Sequence, residues 1–269
     1  MSAFATRHRA WPVEMALFLA LTFGITWSIG TLSVLFPSWF LAQFGPINRA
    51  SPVFYVMVWA PNIAALILTL TLGGWSGLKD LFARLCEWRV SWWVWIAAIG
   101  FFPALMLIVQ VVGLTYDRPL ISTDVWLHAG SLIFPALLLG PLGEELGWRG
   151  YLLPRMLERL SAANAGWVVG VIWMVWHFPA FLMSGLPQSS MSLPVFVVGG
   201  VALSVFVTWL FVNARQSILV AAIIPHALAN AYGEAAGPMT WINAIVLALG
   251  ALLLVALLGP TLRGRATPA

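Results

Sequence analysis

Eight apolar segments dominate this chain, near residues 14–36, 53–72, 92–113, 131–154, 164–183, 193–212, 217–233 and 241–259. At about 1.5 Å of rise per residue, each is long enough, or nearly so, to cross roughly 30 Å of hydrocarbon as a helix. The seventh is the shortest. Only 8% of the 269 residues are charged and 61% are hydrophobic, whereas a soluble domain is about 25% charged. So few charges cannot cover a soluble surface of this size. The expected fold is an all-α polytopic membrane protein of about eight transmembrane helices, one integral-membrane domain over residues 1–269.

Lysine and arginine set the expected orientation. With loops assigned alternately from a cytoplasmic N-terminus, eleven of the thirteen basic residues fall inside, and only Arg49 and Arg118 fall outside. A bias of this kind orients membrane proteins, so an even number of spans with both termini cytoplasmic is expected. The net charge of +4 then reflects topology, and the dispersed basic residues give no footprint for nucleic acid. The alanine-rich, lysine-poor composition fits a bacterial plasma membrane. Arg7, His8 and Arg9 precede an apolar run longer than a signal h-region, which reads as a first retained helix. Residues 79–89 alternate apolar and charged side chains at helical spacing, as expected of a helix along the cytoplasmic interface. Trp88, Trp92, Trp93 and Trp95 fall where an aromatic belt belongs. The single cysteine, Cys86, excludes an intrachain disulfide and a thiolate cluster. No internal repeat is visible, which weighs against an inverted-repeat transporter.

Against this apolar background, Glu144 and Glu145 stand side by side in Leu-Gly-Pro-Leu-Gly-Glu-Glu-Leu-Gly-Trp-Arg-Gly, residues 139–150. A carboxylate at membrane depth costs several kcal/mol unless it is paired or wetted, and such residues are usually functional. Glu145 and Arg149 are i and i+4 with the acid N-terminal, the better orientation for a pair. Glu144 is rotated by about 100° on the same helix, so it shares the arginine less easily and is free to face a cavity. An ion-pair cluster that merely fixes helix packing would explain Glu145 and Arg149 but leave Glu144 without a purpose.

Two later segments each bring one histidine, His177 in the fifth and His226 in the seventh, whereas His8 and His128 belong to a tail and an interfacial approach. Asn230 follows His226 by four residues and points the same way. Both can donate hydrogen bonds, as an oxyanion requires. Pro225 can kink the helix just before them. Counted from expected cytoplasmic boundaries at Arg155, Asn164 and Arg215, Glu144, His177 and His226 lie about 16, 20 and 16 Å deep. Three helices thus place polar groups at nearly one level. Gly140, Gly143, Gly147 and Gly150 line the same stretch and permit close helix approach or a cavity.

Glu144-Glu145-x-x-x-Arg149, then Trp173-x-x-x-His177, then His226-x-x-x-Asn230 resembles the CAAX protease and bacteriocin-processing family of intramembrane proteases, which includes the eukaryotic Ras-converting enzyme. The motifs cover about residues 131–233. The resemblance implies an intramembrane endopeptidase in which Glu144 activates a water with help from His177, His226 and Asn230 form the oxyanion hole, and Glu145 and Arg149 are mainly structural. Trp173 departs from the phenylalanine usual in the family. A protein or peptide substrate at the membrane, CAAX-like or bacteriocin-like, is expected, with a polar cavity opening towards the cytoplasm. No metal is expected. The alternative is a zinc held by Glu144, His177 and His226, since two histidines and a carboxylate make a catalytic zinc set. Two non-proteolytic readings stand beside this: a scaffold or immunity-type protein binding a partner in the same cavity, and a proton-coupled transporter, because buried Glu and His also form proton relays.

Overall fold

In hydrocarbon every backbone N–H and C=O must find its partner within the protein, so apolar runs of this length become helices. The computed structural model describes residues 3–114, 123–237 and 239–263, and among them there is no strand. Arg118 and Arg265, with the side chains of Arg7, His8 and Arg9, lie outside the described residues. In chain order the helices are α1 (Ala3–Leu35), α2 (Pro37–Phe44), α3 (Pro52–Leu85), α4 (Trp92–Leu114), α5 (Thr123–Leu139), α6 (Pro141–Glu145), α7 (Leu153–Leu157), α8 (Ala162–Trp176), α9 (Leu193–Asn213), α10 (Ile224–Ala236) and α11 (Trp241–Leu258). Two π-helical turns, Leu146–Leu152 and Leu219–Ile223, lead into α7 and α10.

Six helical stretches among the described residues are long and apolar enough to cross a membrane. A seventh results if Leu127–Phe134 and Ala136–Leu157, bent by 46° to each other, form one broken span. The segment expected at 217–233 falls outside that test for a physical reason. His226, Asn230 and Glu234 recur every fourth residue along α10 and line an internal cavity. This polar stripe lowers the helix's hydropathy, while Val220, Ala222, Ala227 and Ala231 are buried in the bundle.

Both ends of the described chain meet one end of the bundle. Near the start of α1, Trp11 Nε1 donates to the Arg155 carbonyl at 2.8 Å and Glu14 pairs with Arg155 at 3.0 Å. Beyond α11, the Pro260 carbonyl accepts from Ala163 N at 3.0 Å, and that of Leu262 accepts from Asn213 Nδ2 at 2.9 Å. The last part of α3 belongs to the same end. It turns off at Gly74, buries Leu78 and Leu81, and exposes Trp75 and Phe82, an amphipathic pattern. Exposed Trp88, Trp92 and Trp93 follow it into α4.

Helices in lipid are held together by close packing rather than by the hydrophobic effect, so small residues mark their contacts. α8 lies on α9 through Gly166 and Gly170, where an added Cβ would come within 3.1 Å of Val205 Cα and 2.9 Å of Ser204 Cβ. α8 starts with Ser161 as N-cap, its hydroxyl accepting from Asn164 N. The helix gives way at His177, followed by a 3₁₀ turn over Phe178–Leu182.

Candidate active site

The glutamate pair is placed by its backbone. Gly140 and Pro141 start α6, with proline at the first helical position, where no donor is lost. Buried Asn62 of α3 clamps the turn from both sides. Its Nδ2 donates to the Leu142 carbonyl at 2.7 Å and its Oδ1 accepts from Gly147 N at 3.0 Å. At Gly147 an added Cβ would lie 2.5 Å from the Pro61 backbone, so only glycine allows α3 to approach this closely. The π-helical turn begins immediately after Glu145; such widened turns concentrate at functional sites.

The two carboxylates then part. Glu145 is fully buried and accepts from Arg149 Nη1 at 3.0 and 3.2 Å. It also accepts from His226 Nδ1 at 2.7 Å. Glu144 is 4% exposed and faces the cavity, where its Oε2 accepts from the Trp173 indole at 2.7 Å. The Arg149 guanidinium lies 4.5 Å over the Trp173 ring, and its Nε and Nη2 have no hydrogen-bond partner. Trp173 also meets the His177 and His226 rings edge-on, with centroids 5.6 and 5.0 Å away.

The histidines are oriented through Nδ1. His177 Nδ1 is 2.8 Å from the Trp173 carbonyl. A carbonyl can only accept, so the proton is on Nδ1 and Nε2 of the neutral ring is a free base. His226 Nδ1 likewise faces an acceptor, Glu145. Gly140 shows where the remaining groups converge. A Cβ built there would lie 3.0 Å from Asn230 Nδ2, 3.2 Å from Glu144 Oε1 and 3.6 Å from His226 Nε2. A carboxylate and two nitrogens from two other positions in the chain thus converge beside the Gly140 backbone. They line a cavity of about 560 Å³, as does His177.

The four residues expected to carry chemistry, Glu144, His177, His226 and Asn230, therefore line one cavity. The expected pair Glu145–Arg149 forms, and His128 is exposed away from the cavity. The alternative zinc set is not gathered: among the described residues, no three His, Cys, Asp or Glu side chains are close enough to hold a metal. Three residues gain parts that the sequence reading did not give them. Glu145 orients His226 as well as pairing with Arg149, Trp173 donates to Glu144, and Gly140 lets Glu144, His226 and Asn230 converge beside it. Trp173 carried a signal, the departure from phenylalanine. Asn62, a lone amide in an apolar run, carried one too.

The similarities to known proteins fall on these helices. The family model described as type II CAAX prenyl endopeptidase, Rce1-like, matches residues 125–232. CAAX prenyl protease 2 of Methanococcus maripaludis is 24% identical over 222 residues, covering 75% of this chain and 80% of that protein. The chain is thus a helical protein with helices long and apolar enough to cross a membrane. Its similarity is to the Rce1-like CAAX prenyl endopeptidases, the family the three motifs resemble.

Proposed function

We propose that this chain is an intramembrane endopeptidase that hydrolyses a peptide bond of a membrane-associated protein or peptide with a water activated by Glu144 and His177. The observation that carries the reading is the convergence of Glu144 Oε1, His226 Nε2 and Asn230 Nδ2 beside Gly140, each 3.0–3.6 Å from where a Cβ of that residue would stand. A scissile carbonyl brought from the cavity against these groups has a base on one side and nitrogen donors on the other.

The steps follow from the side chains present. Glu144, with His177 lining the same cavity, takes a proton from water as the oxygen attacks the carbonyl carbon. The carbonyl π bond opens and its electrons move to the oxygen, which Asn230 Nδ2 and His226 Nε2 stabilise. His226 donates from Nε2 only when both ring nitrogens carry protons, and the Glu145 carboxylate is the counter-ion for that form. The C–N bond then breaks, and the proton held by Glu144 passes to the departing amine. No step in this reading uses a metal. Full activity in strong chelator with no bound metal is the expected result, and stoichiometric zinc lost together with activity would overturn it.

The charge bias supports both termini being cytoplasmic, and the alanine-rich, lysine-poor composition supports a bacterial plasma membrane. The deciding experiment compares peptide termini in membranes expressing wild type and Glu144→Ala at equal abundance. New termini are expected with the wild type alone. Identical termini, with the biological effect retained by the variant, would instead favour a scaffold that binds a partner in the same cavity.

A further inference from the structure

We infer that α1 supplies two positioning residues, Thr26 and Trp27, which hold the broken end of α8 so that His177 stands in the cavity. None of the three motifs includes α1, and it lies outside residues 125–232, which the family model matches. The hold on His177 stands on geometry alone; its effect on cleavage rests on the proposed reading of His177.

The need for a hold comes from the break itself. Ala162–Leu182 is one stretch long and apolar enough to cross a membrane, yet its α-helix stops at Trp176 and passes into the 3₁₀ turn. The last four carbonyls of an α-helix have no partner within it, and at membrane depth water does not supply one. His177 fills part of the deficit. Its backbone N–H donates to the Met174 carbonyl at 3.2 Å and its ring Nδ1 to that of Trp173 at 2.8 Å. The Trp176 carbonyl is met from another helix, where Trp27 Nε1 donates to it at 3.3 Å.

The Trp176 side chain is tied to α1 as well. Its Nε1 donates to Thr26 Oγ1 at 2.9 Å, and the same hydroxyl donates to the Met57 carbonyl of α3 at 2.9 Å. Thr26 and Trp176 are both buried, and both line the main cavity. Leaving a buried N–H or hydroxyl unpaired is costly, so the indole is kept in one orientation. The Trp176 ring then meets both halves of the site. It stands edge-on to His177, with centroids 4.7 Å apart, and to Trp148 of the turn after the glutamates, 5.6 Å apart. One turn along α1, Gly30 lets the helix close on the 3₁₀ turn, because a Cβ there would lie 2.5 Å from Pro179 Cβ. Two consecutive residues of α1 thus fix the carbonyl and the side chain of the residue before His177.

The test uses the full chain, with a synthetic peptide spanning a Glu144-dependent cleavage end as substrate. Thr26→Val keeps the shape and loses the hydroxyl, whereas Thr26→Ser keeps the hydroxyl. Thr26→Val is expected to lower kcat about 10-fold at unchanged KM, since a small misplacement of a reacting group is amplified in the rate, and Thr26→Ser to restore most of it. An unchanged kcat in Thr26→Val, an equal loss in Thr26→Ser, or a raised KM with kcat kept overturns the inference. A second readout needs no substrate. Diethyl pyrocarbonate modifies histidine, and mass spectrometry reads His177 against His226 as internal reference. Thr26→Val is expected to shift that ratio several-fold and Thr26→Ser to leave it as in wild type; an unmoved ratio in Thr26→Val overturns the hold. Should Thr26→Val not fold, Trp27→Phe decides in its place by the same ratio, because Trp27 is only partly buried and the change removes its donor to the Trp176 carbonyl. The expected ratios without any Glu144-dependent peptide ends support the hold and sink the protease instead.

Discussion

Two glutamate–arginine pairs stand at opposite ends of one cavity. Glu145–Arg149 closes its floor at 3.0 Å with both side chains fully buried, whereas Glu234–Arg49 bridges its mouth at 2.6 Å with the side chains 36% and 40% exposed. The shorter pair is the weaker one in energetic terms. Exposed pairs are screened by water and contribute about 0–1 kcal/mol. Stranding one partner of a buried pair costs about 3–5 kcal/mol. The floor pair also has a task that the mouth pair lacks, because Glu145 aims His226 into the site. Glu144, next in sequence, has a single indole donor and an open face to the cavity. Adjacent carboxylates thus take different work according to how many of their acceptor sites the protein fills.

The largest expected effect is on Glu144. Glu144→Gln keeps shape and an acceptor for the Trp173 N–H but cannot take a proton. Loss of cleavage by about 10²–10⁴-fold in kcat is expected, the usual contribution of a positioned acid–base group, with unchanged thermal unfolding in detergent. Substantial cleavage by this variant would break the division between the two glutamates. Arg149→Ala comes next. It leaves Glu145 buried with only His226, and a stability loss of about 3–5 kcal/mol is expected in the unfolding midpoint. An unfolding midpoint equal to wild type would show that the floor is wetter than its geometry implies.

Gly140→Ala separates occupancy of the site from stability. The new methyl would sit 3.0–3.6 Å from Asn230, Glu144 and His226, crowding the groups assigned to the scissile carbonyl. Cleavage is expected to fall by about 10²-fold, the scale on which losing an oxyanion contact acts, with little change in unfolding. Retained activity would move the reacting carbonyl elsewhere in the cavity.

What was legible in the sequence was what one helix can carry. Glu145 with Arg149, and His226 with Asn230, are four apart, so helical geometry alone pairs them. The helical class followed from the backbone's need for partners in lipid. What was not legible crosses between helices. The His226–Glu145 contact spans 81 residues and the Trp173–Glu144 contact spans 29; neither separation has a period. The hydropathy signal is weak over α10, which trades apolar residues for a polar stripe facing the cavity. The position of the mouth depends on where α10 ends and where the turn before α9 folds, which no local pattern encodes.

Trp173→Phe tests the one hydrogen bond that holds Glu144, at the position where this chain departs from the family's usual phenylalanine. A hydrogen bond to a charged group contributes about 1.5–3 kcal/mol. A fall in kcat of about 10-fold is expected, with KM little changed, because the carboxylate loses the donor that orients it. An unchanged kcat would make Trp173 a packing residue.

The smallest effect is expected at the mouth. Arg49→Ala removes an exposed pair whose loss costs less than about 1 kcal/mol, so cleavage is expected within about 2-fold of wild type and to be insensitive to salt in the variant. The informative measurement is a double-mutant cycle of Arg49→Ala with Glu234→Ala, read against salt concentration, beside the same cycle of Arg149→Ala with Glu145→Ala. A coupling at the mouth that shrinks with salt, beside a floor coupling that does not, follows from screening of exposed charges and its weakness for buried ones. Equal couplings would mean that the mouth closes over its pair in the working enzyme, and the contrast between floor and mouth would then belong to the open form alone.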